Sequence, residues 1–181
     1  MYDFFGHLGI TTGVIKTYEK VVYKDKYFRN KVPIDYRAVL VGAILPDLID
    51  KPIGACLFRN TFHNSRIFAH TLLFSVLLML IGLYIVNKHK KNKILLLGIG
   101  TSIHLILDSM WLYPEILFWP YFGWRFPVRP EGNWVQSDII RLATDPSYYL
   151  PELIGIIIIA YYFVRLVKNR QMKAFLREGK L

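Results

Sequence analysis

The chain predicts an all-α fold, a polytopic membrane bundle of about five helices with the N-terminus outside and the C-terminus inside. Three observations carry this. Hydrophobic residues fill 54% of the 181 positions, and the mean hydropathy is +0.31; a soluble domain of this length is rarely so apolar. Several runs carry almost no charge and approach the length that crosses roughly 30 Å of hydrocarbon. The basic residues, finally, are gathered into three stretches that flank those runs. One cysteine, Cys56, excludes an internal disulfide framework and a cysteine-rich zinc module.

The elements follow in order along a single domain, residues 1–181. A first helix is expected over about 4–23, with Gly6, Gly9 and Gly13 spaced for close helix contact. A second, over 36–50, is apolar but short, and Pro46 is expected to break it near its end. The third, 66–87, holds no charge from Ile67 to Val86 apart from His70. The fourth, 93–112, contains the run GTSIHLILDSMW, in which a histidine and an aspartate interrupt an otherwise apolar span. Residues 113–149 read as an outer lid or rim. Pro114, Pro120, Pro127 and Pro130 exclude a long regular helix there. Trp119, Trp124 and Trp134 suit the headgroup level, and Arg125 and Arg129 would attract an anionic headgroup. The fifth helix, 150–168, has Glu152 and Arg165 near its ends.

The formal net charge of +10 fits either nucleic acid or a membrane surface. Its distribution favours the membrane. Residues 16–37, the loop 88–93 and the tail from Arg165 hold 17 of the 23 basic residues and four of the 13 acids. The positive-inside rule makes those stretches cytoplasmic. They are short and lack stacking aromatics, so nucleic-acid binding is not expected.

With that topology His7, Asp47, Asp50, His70 and Asp108 fall at one level near the outer face, with His104 one turn deeper. His104 and Asp108 are four residues apart and share a helix face. Ionisable groups inside a membrane usually face the bundle interior and mark a functional site. A mixed imidazole and carboxylate set suits zinc, or manganese or iron, better than calcium or magnesium. Each residue alone has a plain reading: a helix–helix hydrogen bond for the His104–Asp108 pair, a turn residue for Asp47, a backbone contact for His70, an interfacial residue for His7. Their convergence is what argues for a divalent metal. Asp50 could orient a water or act as general base, or simply pair with Lys51. Arg66 could clamp a phosphate or anchor the chain at the interface. His63, in the polar run NTFHN, and His89, in the basic loop, are expected to be solvated.

The order of His7, LPDLID, RIFAHTLLF, HLILDSMW and LFWPYFGWRFP resembles the membrane-bound metal-dependent hydrolase family, also described as LexA-binding, inner-membrane-associated hydrolases. The resemblance covers roughly residues 1–128. That family is grouped with zinc-dependent phospholipase C and the P1-type nucleases, in which a similar His, Asp, His, His-x-x-x-Asp series binds a cluster of zinc ions. The resemblance implies a main metal site of Asp47, His70, His104 and Asp108, with His7 helping a second ion and Asp108 bridging. It also implies a prokaryotic inner membrane. No histidine follows His104, so one or two ions are expected rather than three. Ser65 stands where many members have a histidine before the arginine; whether His63 replaces it is open.

A divalent metal with an open position lowers the pKa of bound water to about 7 in favourable zinc sites. The expected function is therefore a metal-dependent hydrolase that cleaves a phosphoester of a lipid or similar amphiphile at the extracytoplasmic face. The alternatives are hydrolysis of another ester or an amide, or a non-enzymatic membrane protein whose cluster is structural or regulatory.

Overall fold

A computed structural model of the chain describes residues 4–22, 33–124, 126–128 and 134–181, with Trp134 and Val135 described by backbone alone. Lys24, Lys26, Arg29, Lys31, Arg125, Arg129 and Pro130 lie outside the described residues. All regular structure among the described residues is helical. The helices are α1 (Phe4–Val22), α2 (Tyr36–Asp50), α3 (Arg59–Phe62), α4 (Leu72–His89), α5 (Lys93–Leu107), α6 (Pro114–Leu117), α7 (Trp134–Thr144), α8 (Pro146–Lys168) and α9 (Met172–Glu178). A π-helical turn (Lys51–Leu57) extends α2, and a short 3-10 turn (Met110–Leu112) follows α5.

Local chemistry explains the boundaries. The first amides of α1 are capped from across the bundle: Glu152 on α8 accepts from Phe5 N at 3.1 Å and Gly6 N at 2.6 Å. Asp35 caps α2 by accepting from Arg37 N at 3.1 Å. Pro46 does not end α2, contrary to expectation. It removes one backbone donor, and the helix continues to Asp50. The largest departure is at 66–71. These residues were expected to open the third helix, yet they form an irregular segment and α4 begins at Leu72 behind the N-cap Thr71. The reason is that the amides of residues 67–70 donate to a side chain, Asp50, and not to a helical ladder. The fourth helix stops at Leu107, where Ser109 takes a left-handed φ of 51°. The rim also differs: after the prolines it holds α7, an eleven-residue helix, and the last long helix starts four residues early behind the N-cap Asp145.

The main packed pairs are α2 with α5, α1 with α8, and α4 with α5. Glycines let backbones touch. A Cβ on Gly100 would lie 2.8 Å from Gly42 C, and one on Gly9 would overlap Gly155. Ile15, Ile34, Tyr36, Ala38, Val39 and Leu96 form a core at one end. Two helices, α4 and α8, are long and apolar enough to cross a membrane, and only 11% of each span is buried within the chain. Large side chains such as Leu77, Leu80, Ile157 and Phe163 point outward from them. Helix α5 is apolar but has 15 residues.

The described parts of the three basic stretches meet at one end. Asn92 donates to Pro33 O at 2.9 Å, Lys93 lies 3.5 Å from Asp35, and Tyr36 N donates to Gly179 O at 2.8 Å. Arg37 grips Asp35 through Nε at 2.8 Å and Nη2 at 2.6 Å, while its Nη1 donates to Leu176 O at 2.7 Å. The guanidinium beside Asp35 holds its carboxyl below the usual carboxylate range. The far end of α2 carries Asp47 and Asp50, about 20 Å away along the helix.

Candidate metal centre

The construction of this far end starts from Asp50. Its carboxylate is fully buried. Oδ2 accepts from Ile67 N at 2.8 Å, His70 N at 3.1 Å and His70 Nδ1 at 2.7 Å. Oδ1 accepts from Phe68 N at 3.2 Å and Ala69 N at 3.0 Å. Asp50 thus folds the 66–70 segment around itself. Both oxygens are occupied by the 67–70 segment and the His70 ring, and Asp50 is not among the residues lining the cavity described below. Lys51 Nζ lies 2.6 Å from Asp47 Oδ2.

The two central imidazoles are both fully buried. His70 gives its Nδ1 proton to Asp50, and His104 gives its Nδ1 proton to Ala43 O at 2.7 Å. On a neutral ring each Nε2 is then left with a lone pair. Those two Nε2 atoms lie 3.3 Å apart. Two lone pairs facing one another at that distance repel unless a metal ion, or a proton shared as N–H···N, lies between them. Carboxylate oxygens surround the same point: Asp47 Oδ1 is 3.4 Å and Asp108 Oδ2 3.6 Å from His70 Nε2, and Asp108 Oδ2 is 3.8 Å from His104 Nε2. For ligand bonds near 2.0–2.1 Å, the edge of a tetrahedron is about 3.3–3.4 Å; the His70–His104 and His70–Asp47 separations match it, and those to Asp108 are slightly longer.

His7 completes the cluster from α1. Its Nε2 is 3.3 Å from Asp108 Oδ1, and its ring packs on His104 at 4.1 Å between centroids. Two overlapping groups could each hold a metal ion: Asp47, His70 and His104, and His7, His104 and Asp108. All five residues expected as ligands are thus brought together, on three helices and one irregular segment. Arg66, expected a helical turn before His70, lies instead in that segment and reaches Asp108 Oδ2 at 2.7 Å. Its backbone is fixed by Asn64, which accepts from Arg66 N at 2.9 Å and donates to Pro127 O at 2.6 Å. With neutral imidazoles, three carboxylates face Arg66 and Lys51, a formal excess of one negative charge.

A cavity of about 640 Å³ opens on one edge of the cluster, within the size range of small-molecule sites. His7, Arg66 and Asp108 line one side; Ser137 and Arg141 of α7 with Ser147 and Tyr148 of α8 line another. Sequence reading missed this second wall. The signal available was the four-residue spacing of Ser137 and Arg141, which puts both on one face of a helix. His63 is exposed at the end of α3, and His89 is exposed at the end of α4. In the rim, Trp124 is exposed, while Trp119 is half-buried against Phe68 and Trp124. The Trp134 side chain lies outside the described residues.

The fold and this cluster define a helical membrane protein with a buried His/Asp centre that could hold a metal ion. The family model of the YdjM inner membrane protein matches residues 1–172. The chain belongs to that family. No curated protein and no solved structure matches it.

Proposed function

We propose that the protein is a membrane-embedded metal-dependent hydrolase acting on a phosphoester of a lipid or similar amphiphile. The observation that carries the metal is the pair of His70 and His104 Nε2 atoms, 3.3 Å apart with both Nδ1 protons already donated. Asp47, His70, His104 and Asp108 would hold one ion; His7 and Asp108 would help hold a second. The nitrogen and oxygen donors suit zinc, with manganese or iron as alternatives. Such an ion supplies Lewis-acid activation of water and of a phosphoryl oxygen.

The chain's own residues supply the rest. Asp108 joins the cluster to the cavity, so an approaching group meets the donor set from that side. Arg66, paired with Asp108, lines the same cavity, where its positive charge would attract an anion. Apolar lining from Ile10, Leu112 and Ile116 suits the chain of an amphiphile. In the membrane, α1, α2, α4, α5 and α8 would cross with the basic end cytoplasmic and the cluster near the outer leaflet. A reporter fused after residue 181 should then read cytoplasmic, and one within 113–149 external; the reverse would move the site to the inner face.

The reaction is tested by offering metal-loaded protein in mixed micelles a short-chain phosphodiester, phosphomonoester, carboxylic ester and amide of one amphiphile. Turnover of a phosphoester, abolished in His104→Ala, is the expected result. Turnover of the ester or amide alone would reassign the bond, and turnover of none would leave a structural or regulatory cluster. The Arg66–Asp108 and Lys51–Asp47 pairs are the observation that favours that second reading, since they already stitch the segments together.

A further inference from the structure

The two imidazoles that face each other are held from behind by unlike groups. His104 Nδ1 donates to a neutral peptide oxygen, Ala43 O, at 2.7 Å. His70 Nδ1 donates to a carboxylate, Asp50 Oδ2, also at 2.7 Å. We propose that Asp50 is a positioning residue that makes His70 the stronger of the two imidazole donors toward a cation. This rests on the metal-site reading above.

The argument is one of charge and geometry. A carboxylate draws on the Nδ1 proton more than a carbonyl does, which leaves more electron density on the opposite nitrogen. Asp50 is well placed to act this way because nothing lets it turn. Four successive backbone amides, from Ile67 to His70, point at its two oxygens. Those amides hold the carboxylate as an acceptor, and the same bonds fix the segment that carries the His70 ring. Asp50 therefore sets both the direction and the donor strength of one ligand. It stays away from the cavity, where it would meet substrate. Behind His104, Nδ1 meets the neutral Ala43 O of α2 and not a carboxylate. The centre so described is asymmetric, with one anchoring imidazole and one weaker one.

A purely structural Asp50 would shape the segment without making the two rings electronically different. The distinguishing experiment uses the full-length protein loaded with copper(II) and reads the remote imidazole nitrogens by electron spin echo modulation, because their quadrupole coupling depends on what the remote N–H donates to. Two distinct classes of remote nitrogen are expected in the wild type. In Asp50→Asn the class belonging to His70 should move toward the other. Zinc affinity, measured by competition with a chromophoric chelator, should fall by about 10–100-fold. A single class in the loaded wild type would overturn the proposal, and so would an Asp50→Asn protein with unchanged spectrum and affinity. Should Asp50→Asn fail to fold, the wild-type spectrum decides alone. If the wild type takes up neither copper nor zinc, it is the metal-site reading that has failed, which separates the two cases.

Discussion

His104 is the residue whose environment says most. It is fully buried, its Nδ1 proton is spent on Ala43 O, and its Nε2 faces another imidazole and two carboxylates. A buried polar atom without a partner costs about 1–3 kcal/mol, and a cation shared among these groups would satisfy them together. The sequence displayed half of this. His104 and Asp108 at four-residue spacing in an apolar run could be seen at once, as could the recurrence of His and Asp on other helices. The work of Asp50 could not, because it depends on a contact with residues 17 to 20 positions later. The RIFAHT stretch reads as the start of an apolar helix, and only the capture of its amides by Asp50 prevents that. Removing His104 or Asp108 would delete a proposed ligand directly. Metal retention after desalting should fall in His104→Ala and Asp108→Ala by at least the roughly 10–100-fold that loss of an outer partner costs. His89→Ala, on an exposed residue, should retain metal like the wild type.

Helix boundaries show the same division between local and distant causes. The extent of α1 and α2 was legible because apolar length, and for α2 the Asp35 cap, are local features, although α1 is capped by the distant Glu152. The close contact of Gly9 was legible too. The start of α4 and the existence of α7 were not, since the first is set by Asp50 and the second lies beyond four prolines in a segment of mixed polarity. Docking of α9 against the start of α2 belongs to this level too. Arg37 bridges Asp35 to Leu176 O, and Tyr36 N reaches Gly179 O. Because Arg37 holds the Asp35 carboxyl below its ordinary value, the pair contributes stability above about pH 4. That contribution is lost as pH falls below the ordinary carboxylate value and through the lowered one. Limited proteolysis should therefore release the α9 segment more readily as pH drops below about 4. In Asp35→Asn, release should already be fast at neutral pH and should not change over that range.

The bundle is polarised along its length. Basic residues and the α9 contacts gather at one end, while the His/Asp cluster, the cavity and exposed aromatics such as Trp111, Tyr121 and Phe122 lie toward the other. Outward-facing leucines and isoleucines on α4 and α8 leave those two helices with too little protein around them to be a soluble core, which agrees with membership of an inner membrane protein family. Charge distribution alone announced this polarity, and the meeting of Pro33, Asn92 and Gly179 with the start of α2 gives it a physical form. Everything proposed about chemistry depends on what lies between His70 and His104. The most direct measurement is X-ray absorption at the metal edge on wild-type protein purified without chelators. The account predicts roughly one or two transition-metal ions per chain, with imidazole nitrogen and carboxylate oxygen at about 2.0–2.2 Å. A folded protein that carries no such metal, or one whose metal has no imidazole in its shell, would contradict it.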